Sequence, residues 1–465
     1  MKRQRVSWVC AIGLAALLPP PLGGQTVEDF VSQDPLSGEQ FGYSVASADI
    51  INGPAGTHYW VIAGVPYAPA GMVTAAGNVE FFPTVNSPTT PPFKINAPAG
   101  HVQAGAHFGF SLAIGDVNGD GAIDLVVGAP HQDVGGVTDQ GRVFVLFGPW
   151  SPTSVIPYSD WAFLDVDPAE VSTGAEPGGQ FGYSVAVGDL NLNNFMDVVV
   201  GAPHATYIGP PRDPDVGGAD IFLDLDGDLG ALPHYRYNHV FVPAIPHHQG
   251  SLYGHAVGIG QFAIDFNGES TETWPDVVIG APGWDAQQYP DAGWVEFHFG
   301  HSDLAGNPIW DDTPPWIQGG MSVFFEEDPQ DCRYGWSLGV KDHDADGWHD
   351  VAIGAPGLPY VRRGYVLLAR GAARGLWCRN DSPTVRDLML APGTSPPFES
   401  FGASLVWLDS DNAAYPDIAI GAPTLVYPPQ AWERGGSLYR LWPAERSEHL
   451  APHGSALHGP DTQCE

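Results

Sequence analysis

The tripeptide Gly-Ala-Pro at 128–130 returns at 201–203, 280–282, 354–356 and 421–423, with Gly-Val-Pro at 64–66 as a variant. An aromatic-glycine pair stands 20 to 27 residues before each: Phe41-Gly42, Phe108-Gly109, Phe181-Gly182, Tyr253-Gly254, Tyr334-Gly335 and Phe401-Gly402. Self-similarity at a regular period means that one supersecondary unit is repeated and that each copy buries its apolar face against a neighbour. A chain of 465 residues also exceeds the length that one hydrophobic core organises.

Each repeat contains three short runs rich in Val, Ile, Phe and Tyr, such as FSLAI, DLVV and GRVFVLFG in the second copy. Such runs read as strands, and high Gly and Pro counts of 59 and 45 supply the turns between them. A looser segment after the third run, WAFLDVDPAEV for example, reads as a fourth, outer strand. The expected fold is all-β, a propeller of six blades with four antiparallel strands each. Residues 26–40 resemble the outer strand leading into the third repeat, while the last repeat stops at its third strand near Trp442. The N-terminal strand is therefore expected to complete the last blade and close the ring, which leaves no edge. In the innermost strands, small residues (Ser184, Ala186, Gly188) alternate with Val185 and Val187. The small ones are expected to face a crowded central channel and the bulky ones the adjacent blade.

Residues 1–24 read as an export signal: Lys2, Arg3 and Arg5 precede an apolar stretch too short to span a bilayer comfortably. The expected layout is a signal at 1–24, a propeller at 25–443 and a tail at 444–465, in a protein that is soluble after signal removal and is secreted or displayed at the cell surface. The formal charge is −35, and loss of the three basic signal residues makes it more acidic. Such a surface repels phosphate backbones and argues against nucleic-acid binding. Of the cysteines beyond the signal, Cys332 and Cys378 flank the fifth repeat and are read as a disulfide, with Cys464 left over.

Between the first and second strands lies an acidic loop. In the second repeat it is DVNGDGAID, with Asp116, Asn118, Asp120 and Asp124 at its positions one, three, five and nine. The twelfth position is Val127, where a helix-loop-helix calcium site needs a bidentate Glu, and strands flank the loop. It reads instead as a calcium loop within a β-hairpin, with a main-chain oxygen from Ala122 at the seventh position. The same spacing gives Asp189, Asn191, Asn193 and Asp197 in the third repeat. It gives Asp342, Asp344, Asp346, Trp348 (main chain) and Asp350 in the fifth, and Asp409, Asp411 and Asp417 in the sixth. Hard cations take several oxygen ligands, and crowded carboxylates otherwise repel one another. The first and fourth repeats lack the pattern. The alternative reading of every such loop is a solvated turn built from Asp and Asn.

The combination of FG, the DxNxDGxxD-type loop and GAP resembles the FG-GAP repeat of integrin α-subunit β-propellers, over essentially the whole chain beyond residue 24. That resemblance implies calcium ions that stiffen one face of the propeller, with ligands bound at the other. It also supplies seven blades as the alternative count. The expected function is an exported, calcium-binding adhesion or ligand-binding module for an unidentified extracellular protein or glycan. The competing class is a secreted hydrolase or lyase working from loops at the channel mouth; no HExxH motif is present, and no catalytic residue is assigned. His131 and His204, which follow Gly-Ala-Pro at matched positions, read as turn or surface residues, with metal or acid-base chemistry the alternative.

Overall fold

The computed structural model describes residues 40–50, 58–83, 92–150, 161–166, 176–206, 215–223, 235–237, 250–262, 274–285, 289–302, 308–311, 331–343, 345–357, 364–369, 371, 388–390, 400–408, 417–423, 436–441 and 456–457. They fall into two compact units, one ending at Val257 and the next beginning at Gly258. The described residues form strands, turns and bends only, and no helix among them is long and apolar enough to cross a membrane. The export signal, the N-terminal closing strand and Cys378 with Cys464 lie outside the described residues.

Each of the six repeats is one antiparallel sheet. The first comprises β1 (Val45–Ile50), β2 (His58–Val65), β3 (Asn78–Pro83) and β4 (Phe93–Ile95). The second comprises β5 (Ser111–Gly115), β6 (Asp124–Ala129), β7 (Arg142–Leu146) and β8 (Trp161–Leu164). In the third are β9 (Ser184–Gly188), β10 (Asp197–Ala202), β11 (Gly218–Leu223) and β12 (Tyr235–Tyr237). The fourth holds β13 (Ala256–Gly260), β14 (Asp276–Ala281), β15 (Trp294–Ser302) and β16 (Pro308–Asp311).

The fifth and sixth sheets depart from four strands. The fifth runs β17 (Ser337–Lys341), β18 (Asp350–Ala355), β19 (Tyr365–Ala369) and β20 (Leu388–Leu390), then adds β24 (Ala456–Leu457) from the segment read as a tail. The sixth has three strands among the described residues, β21 (Ser404–Leu408), β22 (Asp417–Pro423) and β23 (Gly436–Leu441).

Second strands are buried along their whole length in the second to fifth sheets, and within each unit a neighbouring sheet covers each face of β6 and of β18. Alternate residues serve alternate interfaces. Leu125, Val127 and Ala129 of β6 pack with Ile62, Phe81 and Phe144, while Val126 packs with Phe181, Val198 and Val200. In the second unit, Val351 and Ile353 meet Val278 and Val295, and Ala352 meets Ile418 and Ile420.

The repeat motifs interlock neighbouring sheets. Gly128 of one repeat lies so close to Gly182 of the next that a β-carbon on Gly128 would stand 2.0 Å from the Gly182 carbonyl oxygen. That oxygen also accepts the Ser111 hydroxyl at 2.8 Å, and Gly182 N–H donates to Gly201 of its own repeat. The same contact joins Gly64 to Gly109, Gly201 to Gly254, Gly280 to Gly335 and Gly354 to Gly402. Isolated parallel bridges such as Gly141 with Phe181 reinforce it.

This geometry corrects the expected orientation of the inner strands. Ser111 and Gly115 face the following sheet rather than a central channel, and a β-carbon on Gly115 would meet Val187 Cγ1 at 2.5 Å. Small residues are required because the bulky face of the next inner strand enters there. Gly258 and Gly260 receive Val340 in the same way.

Candidate metal loops and the opposite loop cluster

The acidic loop of the second repeat wraps its oxygens around its own backbone. Asp116 Oδ1 accepts from Asp120 N–H at 3.0 Å, and its Oδ2 accepts from Gly121 N–H at 2.8 Å. Asn118 Oδ1 takes the Asp120 amide at 3.0 Å, and Asp120 Oδ1 takes that of Ala122 at 2.7 Å. The third repeat reproduces this. Asp189 accepts from Asn193 and Asn194 at 3.0 and 2.9 Å, and Asn193 accepts from Phe195 at 2.8 Å. In the fifth, Asp342 accepts from Asp346 and Gly347 at 3.2 and 3.0 Å, and Asp346 from Trp348 at 2.9 Å. Three loops with one hydrogen-bond plan are a built feature of the repeat.

The ninth position behaves differently. Asp124 is fully buried; its Oδ2 accepts from Val117 N–H at 2.9 Å and its Oδ1 from Gly148 N–H at 2.8 Å. It thus pins the end of β5 to the end of β7. Asp350 makes the same bridge from His343 N–H at 2.8 Å to Gly371 N–H at 2.9 Å, and Asp197 takes Leu190 N–H at 2.7 Å. Asp276 does likewise with Phe262 at 2.8 Å and Gly300 at 3.0 Å, although Gln261 occupies position one of that repeat. The ninth aspartate is therefore a hairpin clamp even where the first aspartate of the loop is missing. Sequence spacing grouped it with the cation ligands, because a carboxylate that holds amides and one that holds an ion look alike in a string. Burial pushes Asp124 up to about 6, against the pull of the Gly148 and Val117 amides.

The donor chemistry of Asp116, Asn118 and Asp120 suits a hard cation: all are oxygens, and each carboxylate oxygen that accepts one amide keeps a second lone pair. Among the described residues, however, no three carboxylate, histidine or cysteine side chains stand close enough to hold a metal ion. Asp344, Asp409 and Asp411 lie outside the described residues; Asp417 starts β22. Loops of successive repeats also touch. Met196 N–H donates to Asp116 O at 3.1 Å, and the Phe195 ring occupies the space that a β-carbon on Gly119 would take.

Past the opposite ends of the inner strands, the Gly-Ala-Pro turns carry a second group. The Tyr67 and His107 rings lie 4.3 Å apart, and the His107 and His131 rings 4.7 Å. His131 Nδ1 is 3.3 Å from Asp139 Oδ1, and His204 Nδ1 is 3.2 Å from Asp215 Oδ1. The matched histidines thus each pair with a carboxylate of the following turn, in keeping with a structural part. His107 was not singled out in the sequence; burial first, then the neighbouring His131, lowers it to about 4. Cys332 is buried, and its expected pairing with Cys378 falls outside the described residues.

Comparison with known proteins agrees with the repeat. The family model described as FG-GAP repeat matches residues 108–146 and 181–222. Integrin alpha-IIb of Mus musculus is 31% identical over 247 residues, 52% of this chain and 20% of that protein. Phosphatidylinositol-glycan-specific phospholipase D of Bos taurus is 31% identical over 175 residues, 37% of this chain and 18% of that protein. The chain thus spans about a fifth of the length of these relatives. A solved structure of AofleA from Arthrobotrys oligospora covers 95% of this chain at 10% identity, with a TM-score of 0.38.

Proposed function

We propose, from the premise that this is an integrin-α-like chain of FG-GAP repeats, that it is an exported, calcium-binding β-propeller acting as an adhesion or ligand-binding module for an extracellular protein or glycan. The observation that carries the calcium part is the common plan of the loops at Asp116, Asp189 and Asp342. A loop that orders its oxygens without an ion has already met part of the cost of binding one. The interlock between consecutive sheets, seen within each unit, supports a succession of blades, and the integrin relatives support the adhesion class.

A second reading is favoured by the phospholipase D relatives and by Tyr67, His107 and His131 gathered at one end of the repeats. It makes the chain a hydrolase or lyase, or a substrate-binding part of one. Isothermal titration of the chain with calcium, followed by glycan and extracellular-protein binding with and without chelator, separates the readings. Calcium uptake together with calcium-dependent binding supports the module. Turnover in a hydrolase and lyase screen that His107→Gln abolishes supports the enzyme.

A further inference from the structure

We propose that Asn118 is a site of spontaneous covalent modification, converting to aspartate or isoaspartate within the loop of the second repeat. The reaction starts at the Gly119 amide nitrogen. After loss of its proton to solvent base it attacks Asn118 Cγ; the Cγ–Nδ2 bond breaks, and the nitrogen leaves as ammonia with a proton from solvent. A five-membered succinimide results, and water opens it at either carbonyl. The net change is asparagine plus water to acid plus ammonia.

Three features of the loop favour this step at Asn118. First, the following residue is Gly119, which has no side chain to obstruct attack and is exposed to solvent. Second, the amides of Val117, Asn118, Asp120, Gly121 and Ala122 all donate to loop carboxylates or to Asn118, but among the described residues the Gly119 N–H has no acceptor. Third, Asn118 Oδ1 already accepts the Asp120 N–H at 3.0 Å, a donor positioned to stabilise the negative charge that grows on this oxygen during attack.

The third repeat supplies internal controls within the same kind of loop. Asn191 also accepts a main-chain N–H at 3.3 Å, but the side chain of Leu192 follows it. Asn193 is followed by Asn194, whose N–H is held by Asp189 Oδ2 at 2.9 Å. Conversion without backbone insertion gives the second loop the carboxylate that the fifth carries at Asp344. It also removes a donor, since Asn118 Nδ2 now donates to Asp120 Oδ2 at 3.2 Å, and sets two carboxylates against each other. The modified loop thus depends on a cation more than the unmodified one, a consequence that rests on the calcium reading while the modification does not.

The test is ageing of the full chain at mildly alkaline pH, with calcium or with chelator, followed by peptide mapping by mass spectrometry. Peptide resolution is needed because Asn52-Gly53 and Asn267-Gly268, outside the described residues, have the same dipeptide. The expected result is conversion at 118 several-fold faster than at 191 or 193, with ammonia released and with Asn118→Gln silencing that peptide. Equal rates at 118, 191 and 193 overturn the proposal. Slower conversion in calcium supports coordination by the Asn118 oxygen; rapid conversion that ignores calcium counts against the cation and leaves the modification standing.

Discussion

The carbonyl oxygen of Gly182 is seated against the α-carbon of Gly128 in the preceding repeat, 2.0 Å from where a β-carbon would lie, and it also accepts the Ser111 hydroxyl at 2.8 Å. One oxygen therefore receives two elements of the repeat signature. Loss of the Ser111 bond in Ser111→Ala is expected to cost about 1 kcal/mol. Gly128→Ala must push two sheets apart and is expected to cost at least the ~1–3 kcal/mol typical of overpacking. Urea unfolding of both variants checks the order, and a Gly128→Ala protein as stable as wild type would show that the sheets yield at this seam.

The buried clamp and the exposed loop are separable by substitution. Asp276→Asn weakens the two amide bonds that tie Phe262 and Gly300, in a repeat with Gln261 at position one. Its melting temperature is expected to fall by the same amount with calcium or with chelator. Asp116→Asn is expected to cost little in chelator and to reduce the rise that calcium gives, since an ion stabilises only the state that binds it. Differential scanning calorimetry of the two variants under both conditions reads the interaction directly. Identical behaviour of the pair would merge the two roles.

Much of this architecture is legible in the sequence, because the repeat landmarks are local strings. Phe108-Gly109, Gly128 and the run from Arg142 fix where β5, β6 and β7 fall, and the loop from Asp116 to Asp124 follows from its flanking strands. What the string hides is non-local. The need for Gly128 lies 54 positions away at Gly182, and the partner of Ser111 lies 71 positions away. The division of labour between Asp116 and Asp124 is hidden for the same reason, since Gly148 supplies the amide that turns Asp124 into a clamp.

Acid sensitivity should trace in part to His107. Its folded value of about 4 lies below the ordinary histidine value of 6.5, so the unfolded chain binds the proton more readily in that interval. Its contribution is complete above 6.5 and is lost as the pH falls toward 4. Glutamine stands at the equivalent positions Gln40 and Gln180, in the same left-handed backbone region with φ of 55° and 57° against 59° at His107. His107→Gln is therefore expected to fold and to lose less stability on acidification than wild type, measured as the urea midpoint across that range. Superimposable pH profiles would assign the acid sensitivity to other groups.

The fourth position of the acidic loop is the place where one substitution has opposite signs in different repeats. Gly119, Leu192 and Ala345 all adopt positive φ, of 71°, 56° and 57°. A side chain there costs about 1–2 kcal/mol relative to the right-handed region, and glycine removes the strain at an entropic cost of roughly 0.5–1 kcal/mol. Leu192 is 46% exposed, so Leu192→Gly gives up little burial and is expected to stabilise by up to about 1 kcal/mol. The reverse change, Gly119→Ala, is expected to destabilise by more than backbone strain alone, because the new β-carbon would stand 1.9 Å from Phe195 of the next loop. The double variant Gly119→Ala/Phe195→Ala separates the two costs: it should restore the share due to the ring and leave only the strain. If Gly119→Ala costs the same with or without Phe195, the contact between the two loops carries no energy.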